Sequence, residues 1–307
     1  MRIGCIIPTR NAGDRFGELL LALQKQSAAP ACVYVIDSGS SDNTAALAKQ
    51  QGATVWSILP ENFRHGATRQ EAAQHLLAHW QVDALLFCTQ DIAFQDNKAL
   101  ANLQEMLKQQ ERLGVVYGRQ LPAANADPIA VHARYFNYPE KSRVASSQDI
   151  TFLGIRAAFC SNSFALYKTE AFLEAGGFSA SIILGEDMEL AARMLKRGWA
   201  VGYASDAVVC HSHSYSLLPY FRRAFDTGVF HAQSPWLLRE LGSPQGEGAR
   251  FVLSEMKFLW KQQAYRWLGK SWLYTFGKFL GYHLGKRYRF LPRWVVLRCT
   301  AHPLFWK

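Results

Sequence analysis

Ile3-Gly4-Cys5-Ile6-Ile7-Pro8-Thr9-Arg10-Asn11 opens the chain with a short apolar run, rich in isoleucine, that breaks off into polar residues. It reads as a buried strand, because a helical period begins only afterwards, at Phe16, Leu19, Leu20 and Leu23. The pattern then repeats. Apolar runs at 32–36, 54–58, 84–88 and 115–117 alternate with helix-spaced residues at 45–50, at Ala72, Ala73, Leu76 and Leu77, and at Leu100, Leu103 and Leu107. This alternation predicts an α/β fold: a doubly wound, mostly parallel sheet joined by right-handed crossovers. No internal repeat or low-complexity segment interrupts it.

Ligands of such sheets sit beyond the carboxyl ends of the strands. The polar residues lie there too, as Pro8-Thr9-Arg10-Asn11, Asp37-Ser38-Gly39-Ser40-Ser41-Asp42 and Thr89-Gln90-Asp91. The first turn lacks GxGxxG, which argues against a dinucleotide dehydrogenase, and lacks the glycine-rich phosphate loop a nucleotidyltransferase would want. Asp37, at the end of a buried strand, could accept the imide N–H of a pyrimidine. It could equally shape a turn that starts a helix near Asn43. Arg69 follows His65-Gly66 near a helix start, where a cation opposes the helix dipole, so an anionic ligand is a natural partner for it.

Leu184-Gly185-Glu186-Asp187-Met188-Glu189-Leu190 places an acidic pair at the start of an amphipathic helix that runs to about Arg197 and stops at Gly198. Carboxylates in a first turn are favoured electrostatically whatever the function. Together with Asp91, however, they suit transfer of a sugar from a nucleotide diphosphate. One carboxylate, usually through a divalent metal, neutralises the leaving diphosphate, and the other takes the proton from the attacking hydroxyl. Asp91 and Asp187 are the candidates, and a helix N-terminus is expected to depress the pKa of Asp187. A further strand, at 200–203 or at 208–210, leads into His211 and His213; the first could complete an Asp/His metal site. Periodicity fades over 119–149, which predicts a long loop or lid.

The net charge of +10 is uneven: 257–307 holds eleven Lys or Arg and no Asp or Glu, which leaves the first 256 residues at −1. Trp, Tyr and Phe interleave with these cations, a composition suited to the headgroup boundary of an anionic membrane. Nucleic acid is disfavoured, since the neutral body offers no extended basic groove. The six cysteines form no CxxC pair, so free thiols in a reducing compartment are expected, without disulfide or zinc. The first apolar run is too short for a signal peptide and no window reaches the roughly 18 apolar residues of a span, so the protein is expected to stay in the cytoplasm.

Ile6-Ile7-Pro8-Thr9-Arg10-Asn11, Val35-Ile36-Asp37-Ser38-Gly39-Ser40-Ser41-Asp42-Asn43-Thr44, Gly66-Ala67-Thr68-Arg69, Thr89-Gln90-Asp91, and Gly176-Gly177-Phe178 with Glu186-Asp187 together resemble the family 2 glycosyltransferases of the GT-A fold. Phe63-Arg64-His65, Phe136-Asn137-Tyr138-Pro139, Ser161-Asn162-Ser163 and His211-Ser212-His213-Ser214-Tyr215 look like those of bacterial rhamnosyltransferases that build O-antigen and related polysaccharides. The resemblance implies a GT-A domain at about 1–230, with a nucleotide-sugar half at 1–118 and an acceptor half at 119–230. A helical, basic and aromatic extension at 231–307 would associate with an anionic membrane.

The activity implied is inverting transfer of L-rhamnose from dTDP-β-L-rhamnose to a sugar on an undecaprenyl-diphosphate carrier, at the cytoplasmic face of the bacterial inner membrane, with Mg2+ or Mn2+. Carried over residue by residue, the base is Asp187, the metal ligands are Asp91 and His211, and Arg69 meets the diphosphate. Thr9, Arg10, Asn11, Asp37, Ser38, Gln90 and Glu186 complete the substrate site. Thr89 stands where many members carry the first Asp of a DxD motif, so the metal has one carboxylate fewer. The alternatives are a family 2 transferase using a UDP-sugar, and a membrane-surface sugar-nucleotide binding protein without turnover.

Overall fold

The computed structural model describes residues 1–242 and 245–306. β1 (Ile3–Thr9), α1 (Arg15–Gln24), β2 (Cys32–Asp37), α2 (Thr44–Gln50), β3 (Thr54–Ser57), α3 (His65–His79) and β4 (Ala84–Cys88) follow the alternation read from the sequence. Then come β5 (Ala93–Phe94), α4 (Ala99–Gln109), β6 (Leu113–Leu121), α5 (Pro128–Asn137), β7 (Arg143–Ala145), the single turn α6 (Ile150–Leu153), β8 (Phe164–Lys168), α7 (Thr169–Glu174), α8 (Glu186–Lys196) and β9 (Ala200–Cys210). The remainder is helical: α9 (Leu217–Gln233), α10 (Pro235–Leu241), α11 (Gln245–Lys261), α12 (Tyr265–Lys286) and α13 (Arg293–Cys299).

Two compact units result, one of Met1–Gln120, Pro139–Ser181 and Glu186–His211, the other of Leu121–Tyr138, Ile182–Gly185 and Ser212–Lys307. The first is built on a sheet of order β3-β2-β1-β4-β8-β6-β9-β5, with β7 also on β9. β3, β2, β1 and β4 pair in parallel, as expected. The inner strands of this part are covered on both faces, unlike the edge strand β3: β4 is buried at every residue, and α1 and α4 pack Phe16, Leu19, Leu20, Leu23, Leu100, Leu103 and Leu107 into the same core.

Beyond β4 the sheet turns antiparallel, through β4 with β8, β8 with β6, and β9 with both β5 and β7. β8 was not among the expected strands. It starts where β4 ends, with Phe164 opposite Cys88, and so brings the preceding loop to the carboxyl edge. The strand expected at 200–203 or at 208–210 is β9, whose 11 residues span both stretches. The stretch expected as a loop contains β7 and α5. α5 begins at Pro128 and is capped by Asp127, whose carboxylate accepts from Ala130 N at 2.8 Å.

In the second unit α12 lies along α9, and α11 against α5. Among the described residues no helix is long and apolar enough to cross a membrane. All six cysteines are free.

Candidate active site

β1 and β2 end side by side, with Thr9 opposite Asp37. The loops that leave them are stitched together. Asn11 N donates to Ser40 Oγ at 2.9 Å, Ser41 N to Asn11 Oδ1 at 2.8 Å, Ala12 N to Thr44 Oγ1 at 2.8 Å and Gly13 N to Asp42 Oδ2 at 3.0 Å. Asn11 adopts a left-handed conformation, φ 47°, which asparagine tolerates better than most residues. Thr9 is buried, donating to Ile36 O at 3.3 Å. Gln90 reaches over from the end of β4 and brackets the backbone of Arg10, accepting from its N–H at 2.7 Å and donating to its carbonyl at 3.1 Å. The Arg10 side chain is left exposed.

Asp37 is buried and accepts from Ser40 N at 3.1 Å through Oδ2, but its Oδ1 has no hydrogen-bond partner, nor has the buried Ser38 Oγ. An unsatisfied buried acceptor costs about 1–3 kcal/mol, and more when charged. Asp37 Oδ1 is therefore open to a further donor.

The pairing of Ala93 with Cys210 brings Asp91 beside His211. Asp91 Oδ1 stands 3.3 Å from His211 Nε2. His211 is buried, and its Nδ1 lies 2.9 Å from Gln120 Oε1, while Gln120 Nε2 donates to Ser161 Oγ at 2.9 Å. With the Gln120 nitrogen so committed, its oxygen accepts from Nδ1–H, and the Nε2 lone pair faces the Asp91 carboxylate. Two acceptors at that distance need a proton or a cation between them. A carboxylate oxygen suits either Mn2+ or Mg2+, whereas an imidazole nitrogen suits the softer Mn2+ better than Mg2+, so the pair fits Mn2+ the better of the two.

Glu186 and Asp187 begin α8, as the sequence indicates. Gly66 lets the start of α3 press against this region, since a Cβ there would collide with the carbonyl of Ser179. One turn on, Arg69 is buried, with Nη1 3.2 Å from Glu186 Oε1. Asn162 then holds both carboxylates: its side-chain amide donates to Glu186 Oε1 at 3.2 Å and its backbone N–H to Asp187 Oδ2 at 3.0 Å. The buried Tyr167 hydroxyl donates to Asn162 Oδ1 at 2.8 Å.

Burial and the adjacent Glu186 charge push the Asp187 carboxyl up to about 6, against the pull of the Asn162 and Met188 N–H groups and of Arg69. This corrects the expectation of a depressed pKa. The helix N-terminus is outweighed by loss of solvent and by a second carboxylate next to it. Asp187 is still about nine-tenths ionised at pH 7, and a pKa nearer the working pH makes it a better base.

Ser161-Asn162-Ser163, at the entry to β8, is a hub the sequence did not single out as site residues. Ser161 holds Gln120 and through it His211, Asn162 holds Asp187, and the Ser163 carbonyl accepts from Thr89 N at 3.3 Å, two residues before Asp91. Arg193 explains the spacing from Gly176-Gly177 to the acidic pair. It grips Glu189 at 2.9 and 2.7 Å and donates to the carbonyls of Ala175 and Gly177, fixing two glycines in the left-handed region at φ 83° and 64°.

A model of glycosyl transferase family 2 matches residues 5–176, and one of glycosyl transferase family group 2 matches 97–307. The chain belongs to glycosyl transferase family 2. Membership makes it an inverting glycosyltransferase. It is 44% identical over 307 residues to the O-antigen chain rhamnosyltransferase RfbN of Salmonella typhimurium, covering 100% of this chain and 96% of that one. It is 42% identical over 302 residues to the O-antigen chain rhamnosyltransferase WbaN of Salmonella anatum, covering 98% and 94%. A mannosyltransferase of Pyrobaculum calidifontis, solved with GDP-Man and Mn2+, shares the fold with a TM-score of 0.59 at 17% identity, over 93% of this chain and 88% of that one.

Proposed function

We propose that this family 2 enzyme transfers L-rhamnose from dTDP-β-L-rhamnose to a saccharide carried on undecaprenyl diphosphate, in assembly of O-antigen or a related polysaccharide. The observation that carries the reading is 44% identity across the whole chain to an O-antigen chain rhamnosyltransferase. A lipid-linked acceptor would place the enzyme on the cytoplasmic face of the inner membrane, with 1–118 holding the nucleotide sugar, 119–230 the acceptor, and 231–307 meeting the bilayer.

Within the site, the vacant Asp37 Oδ1 accepts the imide N–H of thymine, beside Thr9, Ser38 and the loop formed by Arg10 and Asn11. Arg69 keeps one buried donor, Nε, uncommitted and available to the diphosphate. Asp91 and His211 would hold Mn2+ or Mg2+, whose positive charge stabilises a leaving diphosphate. The Mn2+ of the mannosyltransferase structure supports this choice of ion. Glu186 anchors Arg69 and Asn162, and Gln90 fixes the backbone at Arg10. Asp187 removes the proton of the acceptor hydroxyl as its oxygen bonds to C1. The C1–O bond to phosphate breaks, the electron pair leaves with dTDP, and attack opposite the leaving group turns the β donor into an α product.

Incubation with membranes containing the lipid-linked acceptor, comparing dTDP-rhamnose with UDP- and GDP-sugars, tests the reading. Incorporation from dTDP-rhamnose alone is expected; preference for a UDP-sugar would replace the donor assignment.

A further inference from the structure

We infer that the outward face of α12 is the surface by which the enzyme docks on an anionic lipid bilayer. α12 is packed inside out. Gly277, Gly281 and Gly285, one turn apart, are buried, and α9 lies so near that a Cβ at Gly281 or Gly285 would strike the carbonyl of Phe221 or Phe225. The opposite face carries Tyr265, Trp272, Phe276, Phe279 and Leu280, exposed at 55%, 61%, 64%, 61% and 43%. A helix facing water buries its large apolar side chains and shows polar ones. Small residues at the contact and large apolar residues outside are what a helix does when its outer medium is lipid.

Seven of the nine large aromatic side chains exposed among the described residues lie beyond Met256, so this concentration belongs to the tail rather than to the surface in general. Charge selects the occupant. Arg266 and Lys270 at the start of this helix and Lys286 and Arg287 at its end are exposed, and no Asp or Glu follows Met256 in the sequence. Aromatic rings in the interfacial layer and lysine or arginine heads among anionic headgroups are a stable combination. A second copy is a poor occupant, because it would set one cation-rich tail against another. Among the described residues no helix is long and apolar enough to cross a bilayer, so the docking inferred is along the surface rather than through it. The inference extends the membrane reading above, yet vesicle binding is measured without any sugar and stands apart from donor and acceptor.

The test is co-sedimentation of the full chain with phosphatidylethanolamine–phosphatidylglycerol vesicles and with phosphatidylcholine vesicles, at low and high salt. The wild type should bind the anionic vesicles at least about tenfold better and lose that preference in salt. The combined Trp272→Ser, Phe276→Ser and Phe279→Ser variant, and separately Lys270→Glu with Lys286→Glu, should each bind about tenfold more weakly while transfer to a detergent-solubilised acceptor stays within about twofold. Anionic binding of the triple variant within about twofold of wild type would overturn the proposal, as would equal wild-type binding to both vesicles. A wild-type dimer that the triple variant dissociates, without vesicle binding, would assign the face to a second copy instead. Vesicle binding without sugar transfer would uphold this surface and strike only the rhamnosyltransferase reading.

Discussion

The backbone N–H of Asn162 donates to Asp187 Oδ2 at 3.0 Å while the Asn162 side chain holds Glu186 Oε1 at 3.2 Å. One residue therefore orients the proposed base and fixes the distance to its repelling neighbour. A base must be ionised, so kcat/KM should be level above pH 6 and fall tenfold per pH unit below about 6, the Asp187 value. Stability runs the other way. An acid raised from 3.8 favours the folded state below 3.8 and loses that contribution as pH rises through about 6. Asn162→Asp adds a third carboxylate and should move the acid limb upward by about half a unit or more. A lowered rate with an unmoved limb would make Asn162 merely structural.

Asp91 and His211 act through one ion in this account. Asp91→Ala and His211→Ala should therefore weaken Mn2+-dependent donor binding by similar factors, about tenfold or more, read by titration with and without metal. Equal donor affinity in wild type before and after chelation would remove both residues from this role.

Gly66→Ala forces a methyl into the Ser179 carbonyl and should part Arg69 from Glu186. Thermal unfolding should drop by several degrees and kcat/KM by about tenfold. Gly248→Ala is the control: its Cβ meets nothing within 4 Å, so the rate should be unchanged and stability equal or slightly higher, since alanine favours the helix. A Gly66→Ala enzyme of wild-type stability and rate would show that the close approach is dispensable.

β1 to β4 and their helices were legible because buried parallel strands and amphipathic helices write their periods directly into the sequence. β8 was not, since Phe164-Ala165-Leu166-Tyr167 is a short apolar run with no partner visible along the chain. α5 was missed for a different reason: Asp127 and Pro128 announce its start, but the face it buries, Ile129, Ala130 and His132, includes a polar histidine. Asp91, His211 and Asp187 were proposed from residue type and place, and the structure sets Asp91 beside His211 and Asp187 at a helix start. Ser161-Asn162-Ser163 and Gln120 were not, because their importance lies in hydrogen bonds to residues 25 to 91 positions away. The raised Asp187 pKa escaped for the same reason, depending on burial that no local pattern records. The basic, aromatic composition of the tail was readable, whereas the placement of its aromatics outside and its glycines inside needed α9 and α12 side by side.

The central claim is that Asp187 activates an acceptor hydroxyl for attack on dTDP-β-L-rhamnose. It is tested most directly by following lipid-linked product with wild type and Asp187→Asn, assigning the new linkage by NMR. An α-rhamnosyl product is expected, with a fall of about a hundredfold or more in turnover for the variant and nearly unchanged dTDP binding. A β-linked product, or an Asp187→Asn enzyme within a few-fold of wild type, would contradict it.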